Sequence, residues 1–374
     1  MGVDGRGGGG GSGSGGGNGW RLWWKVFAGL LAVAVVVYVM RADTFLASEQ
    51  PQHLPIPVLR RALGTGLGSQ GKLSAPASRG FDVCQDGTNW FSRYSEEDVD
   101  TNSLRESRNH RICAGSRPMF TISHPKSGRT WLRCLVANAY ACARKNASLS
   151  LSETEAWSDK VLSFSHGKPH PFGSTPQQLL NGFGTNNGAK REAGFMLVRD
   201  PRDVVVSSFY DRMYRDWEHS LPKHTSLSEY LRIERGSLQT LLMHQNLWSS
   251  VTDKPDWLVL RYEDLKRCPE KALDELLNKQ LCLDVSPACI ARAADWCDFS
   301  KLQQRADSAS HYGGGKIWRP KGHDPNSRKV RKGKVGGYRE ELSAEDMEYL
   351  ESSIQEHLLG GRVFGYNAPP PKKN

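Results

Sequence analysis

The chain has 374 residues, 38% of them hydrophobic, which is ordinary for a globular protein and allows a substantial buried core in two average domains or one large one. No internal repeat occurs at solenoid periods, which sets aside an array. The formal net charge of +10, from 50 Lys+Arg against 40 Asp+Glu, suits an anionic ligand, an acidic acceptor or a membrane surface.

Residues 1–19, MGVDGRGGGGGSGSGGGNG, have too few apolar side chains to offset the entropy of ordering and are expected to form a disordered tail. Residues 20–41 read as a short membrane span. Val26 to Met40 carries no charge, and Trp20, Trp23 and Trp24 stand at one end as interfacial anchors. The run is shorter than the roughly 20 residues an average bilayer needs, so Lys25 and Arg41 would snorkel and a thinner early-secretory membrane would suit it. Arg6, Arg21 and Lys25 precede the span and Asp43 and Glu49 follow it, which places the N-terminus in the cytosol and the rest in the lumen. A cleaved signal peptide is the rival; its best small-residue site, near Ala47, is imperfect and its leader is long.

Residues 42–80, rich in Pro, Gly and Ser, read as a stem. A folded domain is expected over 81–366, with a second disordered tail at 367–374. Eight cysteines, none at zinc-finger spacing, suggest disulfides in an oxidising compartment. Cys282 and Cys289 flank a short segment that they can close, whereas Cys134 falls in a predicted helix and reads as core. Asn146, in the tripeptide NAS, is a glycosylation acceptor if it faces the lumen.

Within the domain, short apolar runs at 119–123, 161–165, 194–198 and 257–260 each end in polar residues and precede a helical pattern. This alternation predicts an α/β fold, a central parallel sheet with helices on both faces. Ligands bind such sheets beyond the carboxyl ends of the strands. Those ends carry His124 to Thr130, His166, Arg199 to Asp203, and Tyr262 to Asp264.

After the first run comes HPKSGRTW and a helical face at Trp131, Leu132, Leu135, Val136, Ala139 and Tyr140. Gly128 permits a tight turn, the amides of Ser127 to Thr130 would meet an anion at the helix N-terminus, and Lys126 adds a full charge. The loop lacks the Walker spelling, since Lys126 precedes Gly128, and no second Mg²⁺ carboxylate follows a strand, which disfavours an ordinary ATP or GTP hydrolase. After the third run, Asp200 is a helix cap, Pro201 fits the first turn, and Arg199 stands at the strand tip with Ser207 two turns further on.

PKSGRTWL, VRDPRDVVVSSFY, YEDLKRCPEKAL and RKVRKGKVGGYRE, in this order from about Phe120 to Glu340, resemble the nucleotide-dependent sulfotransferases, most nearly the cytosolic type. The resemblance implies a P-loop-like sulfotransferase domain and 3′-phosphoadenosine 5′-phosphosulfate (PAPS) as the sulfuryl donor, with no metal and no nucleic-acid partner. It implies that Lys126, Ser127, Gly128, Arg129 and Thr130 form the 5′-phosphosulfate loop and that Trp131 stacks on adenine. Arg199 and Ser207 would bind the 3′-phosphate, Tyr262 and Phe299 would complete the adenine pocket, and Arg331, Lys332 and Gly333 would close over the 3′-phosphate. The basic residues around that last motif fit a solvated loop or contact with an anionic acceptor.

His166 stands where the cytosolic enzymes present a catalytic histidine and would be the general base, with His170 and His124 in reserve; some luminal relatives use a carboxylate instead. Lys126 would neutralise charge on the leaving phosphate. Arg129 replaces the usual threonine, GGYR replaces GDWK, and the cytosolic dimerisation segment is not evident, leaving the oligomeric state open. The reading is a single-pass Golgi sulfotransferase acting on a hydroxyl of a glycan or glycoconjugate. A small-molecule acceptor, a nucleotide-dependent kinase and a non-catalytic binding module are the alternatives.

Overall fold

The computed structural model describes residues 118–145, 149–183, 193–216, 218–252, 257–309, 317–358 and 364–366. The expected tails, membrane span, stem and Asn146 lie outside them.

Four strands form one parallel sheet in the order β2-β1-β3-β4: β1 (Met119–Ile122), β2 (Leu162–Ser165), β3 (Gly194–Val198) and β4 (Trp257–Arg261). They match the four apolar runs to within a residue. β3 is buried throughout, and its side chains alternate between two cores. Phe195 and Leu197, with Leu258 and Leu260 of β4, enter one core; Met196 and Val198, with Trp257 and Val259, enter the other. A period of two with both faces apolar is what a sheet covered on both sides requires.

The first core is closed by α1 (Arg129–Ala143), α9 (Pro287–Trp296) and α10 (Phe299–Asp307). The second is closed by α4 (Pro201–Tyr214), α6 (Leu238–Thr252) and α11 (Ala344–His357). Shorter helices complete the order: α2 (Thr154–Ser158), α3 (Pro176–Phe183), α5 (Leu227–Arg232), α7 (Tyr262–Arg267) and α8 (Pro269–Asp274).

Two disulfides fasten α1 to α9, Cys134–Cys297 and Cys142–Cys289. This corrects two expectations: Cys289 does not close a loop with Cys282, and Cys134 is not merely a core residue. The cysteines stand eight positions apart on each side (134 to 142, 289 to 297), close to whole turns, so one helix face presents both to an antiparallel neighbour. Cys268 and Cys282 are disulfide-bonded too.

Candidate active site

The strand ends of the sheet open into a cavity of ≈ 260 Å³. Every expected site residue lines it except Ser127, whose side chain is buried beneath the loop with its hydroxyl lacking a hydrogen-bond partner. The turn between β1 and α1 is built as its sequence implies. Lys126 (φ 73°) and Gly128 (φ 100°) take left-handed conformations, and Ser127 N–H donates to the His124 carbonyl at 3.2 Å. Gly128 caps α1, and a Cβ there would strike the ring of Tyr262, so a side chain is excluded by both backbone and space.

Lys126 turns its ammonium onto Asp211 of α4, 2.7 Å away. Burial opposes ionisation of Asp211, but Lys126 and Lys329 outweigh it and hold the carboxyl well below its usual range. No local signal in the sequence marks Asp211, because only the fold brings α4 beneath the loop.

Arg199 leaves the end of β3 with its guanidinium 4.3 Å from the Tyr262 ring centroid. It donates to the carbonyls of Lys126 (3.3 Å) and Lys334 (3.0 Å) and pairs with Asp203 at 3.6 Å, while its buried Nε has no hydrogen-bond partner. Asp200 caps α4 as expected by accepting from Arg202 N–H. Asp203 does more than pair with Arg199. Its carboxylate also accepts from the N–H groups of Gly336 and Tyr338, anchoring the segment that follows Gly333.

Beside the loop, Trp131, Tyr262 and Phe299 form an aromatic slot. Trp131 meets Tyr262 edge-on at 5.7 Å and donates its indole N–H to the Cys297 carbonyl at 2.9 Å. The Phe299 ring fills the space where a Cβ on Gly333 would project. Lys266, equally unmarked in the sequence, holds its ammonium 5.3 Å from the Trp131 ring and 5.2 Å from that of Phe299. Arg331 and Lys332 reach the cavity wall already paired, both with Glu341, and Arg331 stacks on Tyr210 at 4.0 Å. A ligand phosphate would have to compete with Glu341 for them.

His166 follows β2 and lines the same cavity as Lys126. Its Nδ1 lies 2.8 Å from the Ser123 carbonyl, an atom that only accepts, so Nδ1 carries the hydrogen and Nε2 keeps its lone pair. Burial, then the positive charge of Arg129, pushes His166 well below the usual histidine value, so it is neutral at neutral pH. The reserve candidates differ: His170 lines the cavity but its Nδ1 accepts from Phe172 N–H, and His124 lies beneath the loop, outside the lining. His166, His170, His219, His124 and His244 touch in a chain of ring contacts joined through Phe172.

Burial also depresses His124 and His244, the latter to about 4. Below pH 6.5 the unfolded chain takes up protons that these buried rings refuse, so stability present above that value is lost as pH falls toward 4. For His244 alone, the displacement from 6.5 to about 4 amounts to on the order of 3 kcal/mol. Thermal unfolding should show Tm falling across this window, and His244→Gln should flatten the fall.

Residues 195–361 match the family model described as Sulfotransferase domain, which begins in β3 and so lies wholly C-terminal to the phosphate loop. Sulfotransferase 2A1 of Rattus norvegicus is 23% identical over 255 residues, covering 65% of this chain and 84% of the relative. The 3-beta-hydroxysteroid sulfotransferase of Cavia porcellus is 23% identical over 296 residues, covering 74% and 96%. Among solved structures, mouse sulfotransferase SULT7A1 complexed with PAP aligns at 19% identity and a TM-score of 0.47, over 72% of this chain and 94% of that one. Residues 195–361 thus carry a sulfotransferase domain, and the likeness to both relatives supports a sulfotransferase enzyme.

Proposed function

We propose that the protein transfers a sulfuryl group from PAPS to an acceptor hydroxyl, as a single-pass Golgi enzyme whose catalytic domain is luminal and whose acceptor is a glycan or glycoconjugate. The observation that carries the reaction is the convergence of Lys126, Arg199 and His166 on one cavity that Trp131, Tyr262 and Phe299 also line. The chain fits the donor. A turn bearing Lys126 and the loop amides that follow Ser127, whose own N–H is taken by the His124 carbonyl, suits the phosphosulfate, the orphaned Nε of Arg199 and the nearby Ser207 suit the 3′-phosphate, and Trp131, Tyr262 and Phe299 suit adenine.

His166 Nε2 takes the proton of the acceptor hydroxyl as its oxygen bonds to sulfur. The bond from sulfur to the bridging oxygen breaks, and the electron pair stays with the leaving 5′-phosphate. Lys126 and the loop amides neutralise the charge gathering there. Lys126 must leave Asp211 to do so, and Asp211 then remains beside Arg215, 3.6 Å from it.

The luminal placement is supported by the apolar run and flanking charges of residues 20–41 and by the disulfides, which persist in oxidising compartments. No helix among the described residues is long and apolar enough to cross a membrane. A small hydroxylated acceptor is the second reading, favoured by the name of the Cavia porcellus relative. Sulfated glycan against sulfated metabolite in cells expressing the protein separates the two.

Calorimetric titration of the full-length protein with adenosine 3′,5′-bisphosphate, 5′-AMP, and ATP with Mg²⁺ tests the donor assignment. The bisphosphate should bind tightest. Arg199→Ala should weaken it by about 10–100-fold and leave 5′-AMP nearly unchanged, the loss expected for one charge-assisted contact. Preference for ATP with Mg²⁺ would replace the assignment with a kinase.

A further inference from the structure

A cavity that suits a multiply charged anion is also lined by carboxylates. Among the described residues these are Asp203, Asp211, Asp216 and Glu341. Asp203 anchors the backbone at Gly336 and Tyr338, and Asp216 pairs with His219 at 3.1 Å. Asp211 and Glu341 instead hold cations that the donor would use: Lys126 at the phosphate loop, and Arg331 and Lys332 at the segment matched to the 3′-phosphate.

Glu341 is the more heavily committed of the two. Its Oε1 accepts from Arg331 Nη1 at 2.9 Å and lies 2.8 Å from Lys332 Nζ, its Oε2 accepts from the same Nη1 at 3.2 Å, and the Tyr210 hydroxyl donates to it as well. Glu340 stands further from Lys332, at 3.8 Å, and pairs with Lys334. Burial opposes ionisation of Glu341, whose side chain is only 7% exposed, but Lys332, Tyr210 and Arg331 outweigh it and hold the carboxyl below its usual range.

The carboxylate is also fixed in place by contacts that do not involve its cations. It follows the helical turn Gly337–Glu340, its own N–H donates to the Tyr338 carbonyl at 3.1 Å, and Tyr338 is buried with its N–H on Asp203. A phosphate that takes Arg331 and Lys332 therefore arrives beside a negative charge that stays. When the phosphate leaves, both cations have a partner waiting, so the like charge opposes capture and assists departure.

We propose that Glu341 is a displaceable counter-anion: the 3′-phosphate takes Arg331 and Lys332 from it, and by recapturing them it hastens release of the product, adenosine 3′,5′-bisphosphate. This rests on the sulfotransferase reading with PAPS as donor, and it adds a residue that governs how long the spent nucleotide stays.

Dissociation of adenosine 3′,5′-bisphosphate from the immobilised full-length protein, followed by surface plasmon resonance, tests this. Glu341→Gln keeps the size of the side chain and removes its charge; it should slow dissociation by about ten-fold or more, the scale of a charge-assisted contact. Glu341→Ala should slow it in the same sense. Equilibrium affinity for 5′-AMP, which has no 3′-phosphate, should stay at the wild-type value in both variants, which also shows that they fold. Unchanged or faster dissociation of the bisphosphate in a variant that keeps its 5′-AMP affinity would overturn the proposal, the faster case marking Glu341 as a support that holds the two cations ready. Equal slowing for 5′-AMP, or loss of 5′-AMP binding in both variants, would overturn it as well, because the effect would not lie at the 3′-phosphate. A wild type that binds 5′-AMP as tightly as the bisphosphate would instead remove the donor assignment beneath it.

Discussion

Replacing His166 by asparagine is expected to lower kcat by about 10²–10⁴-fold, the range attributed to a positioned general base, while leaving affinity for adenosine 3′,5′-bisphosphate unchanged. The Ser123 carbonyl fixes the tautomer at 2.8 Å, so Nε2 is the nitrogen left to accept the proton. Because burial and Arg129 depress its pKa, the base is in its active form through the mildly acidic range, and activity should decline only well below pH 6.5. An acid limb at or above 6.5, or a kcat unaffected by His166→Asn, would move the role elsewhere, with His170 the next residue on the cavity wall to test.

The second large effect is at Lys126. Lys126→Ala should reduce kcat by about 10²–10³-fold, comparable to the loss of one preorganised donor at a centre of developing charge. The loss should fall on kcat more than on nucleotide binding, since the loop amides and Arg199 still hold the bisphosphate. Asp211→Asn acts in the opposite sense on binding: it frees the ammonium from its 2.7 Å partner and should tighten the nucleotide. Single-turnover kinetics with saturating donor separates chemistry from binding in both variants, and an unchanged rate in Lys126→Ala would exclude the residue from the transfer step.

The parts legible in the sequence are those fixed by local chemistry. The four strands announce themselves as apolar runs, the turn at Gly128 by its residue types, and the cap at Asp200 by the proline after it. His166 and Arg199 can be placed because both follow strands, and a parallel sheet sends all such positions to one edge. What stays hidden depends on helices crossing at a distance. Asp211 lies nearly three turns down α4, and nothing nearby in sequence marks it as the partner of a lysine 85 positions earlier. Lys329 sits in a run of basic residues and Lys266 beside Arg267, with nothing local to distinguish either. Arg331 and Lys332 are matched by motif, but their pairing with Glu341 follows from the short helical turn at 337–340 that brings that carboxylate back beside them. One long-range feature does leave a trace: the matched eight-residue spacings of Cys134 with Cys142 and of Cys289 with Cys297, a signature of two helices laid side by side.

That stitching also imposes an order in time. Cys134 is synthesised 163 residues before the cysteine that secures it, and Cys142 147 residues before its own. At about 5–20 residues per second, roughly ten to thirty seconds pass between the appearance of the donor loop and of its fastening. A nascent chain that stops short of Cys289 contains the whole loop sequence and the histidine that serves it, yet carries both α1 thiols unsealed. Fastening of α1 thus waits for the synthesis of α9, and a chain that stops short of Cys289 can form neither bond.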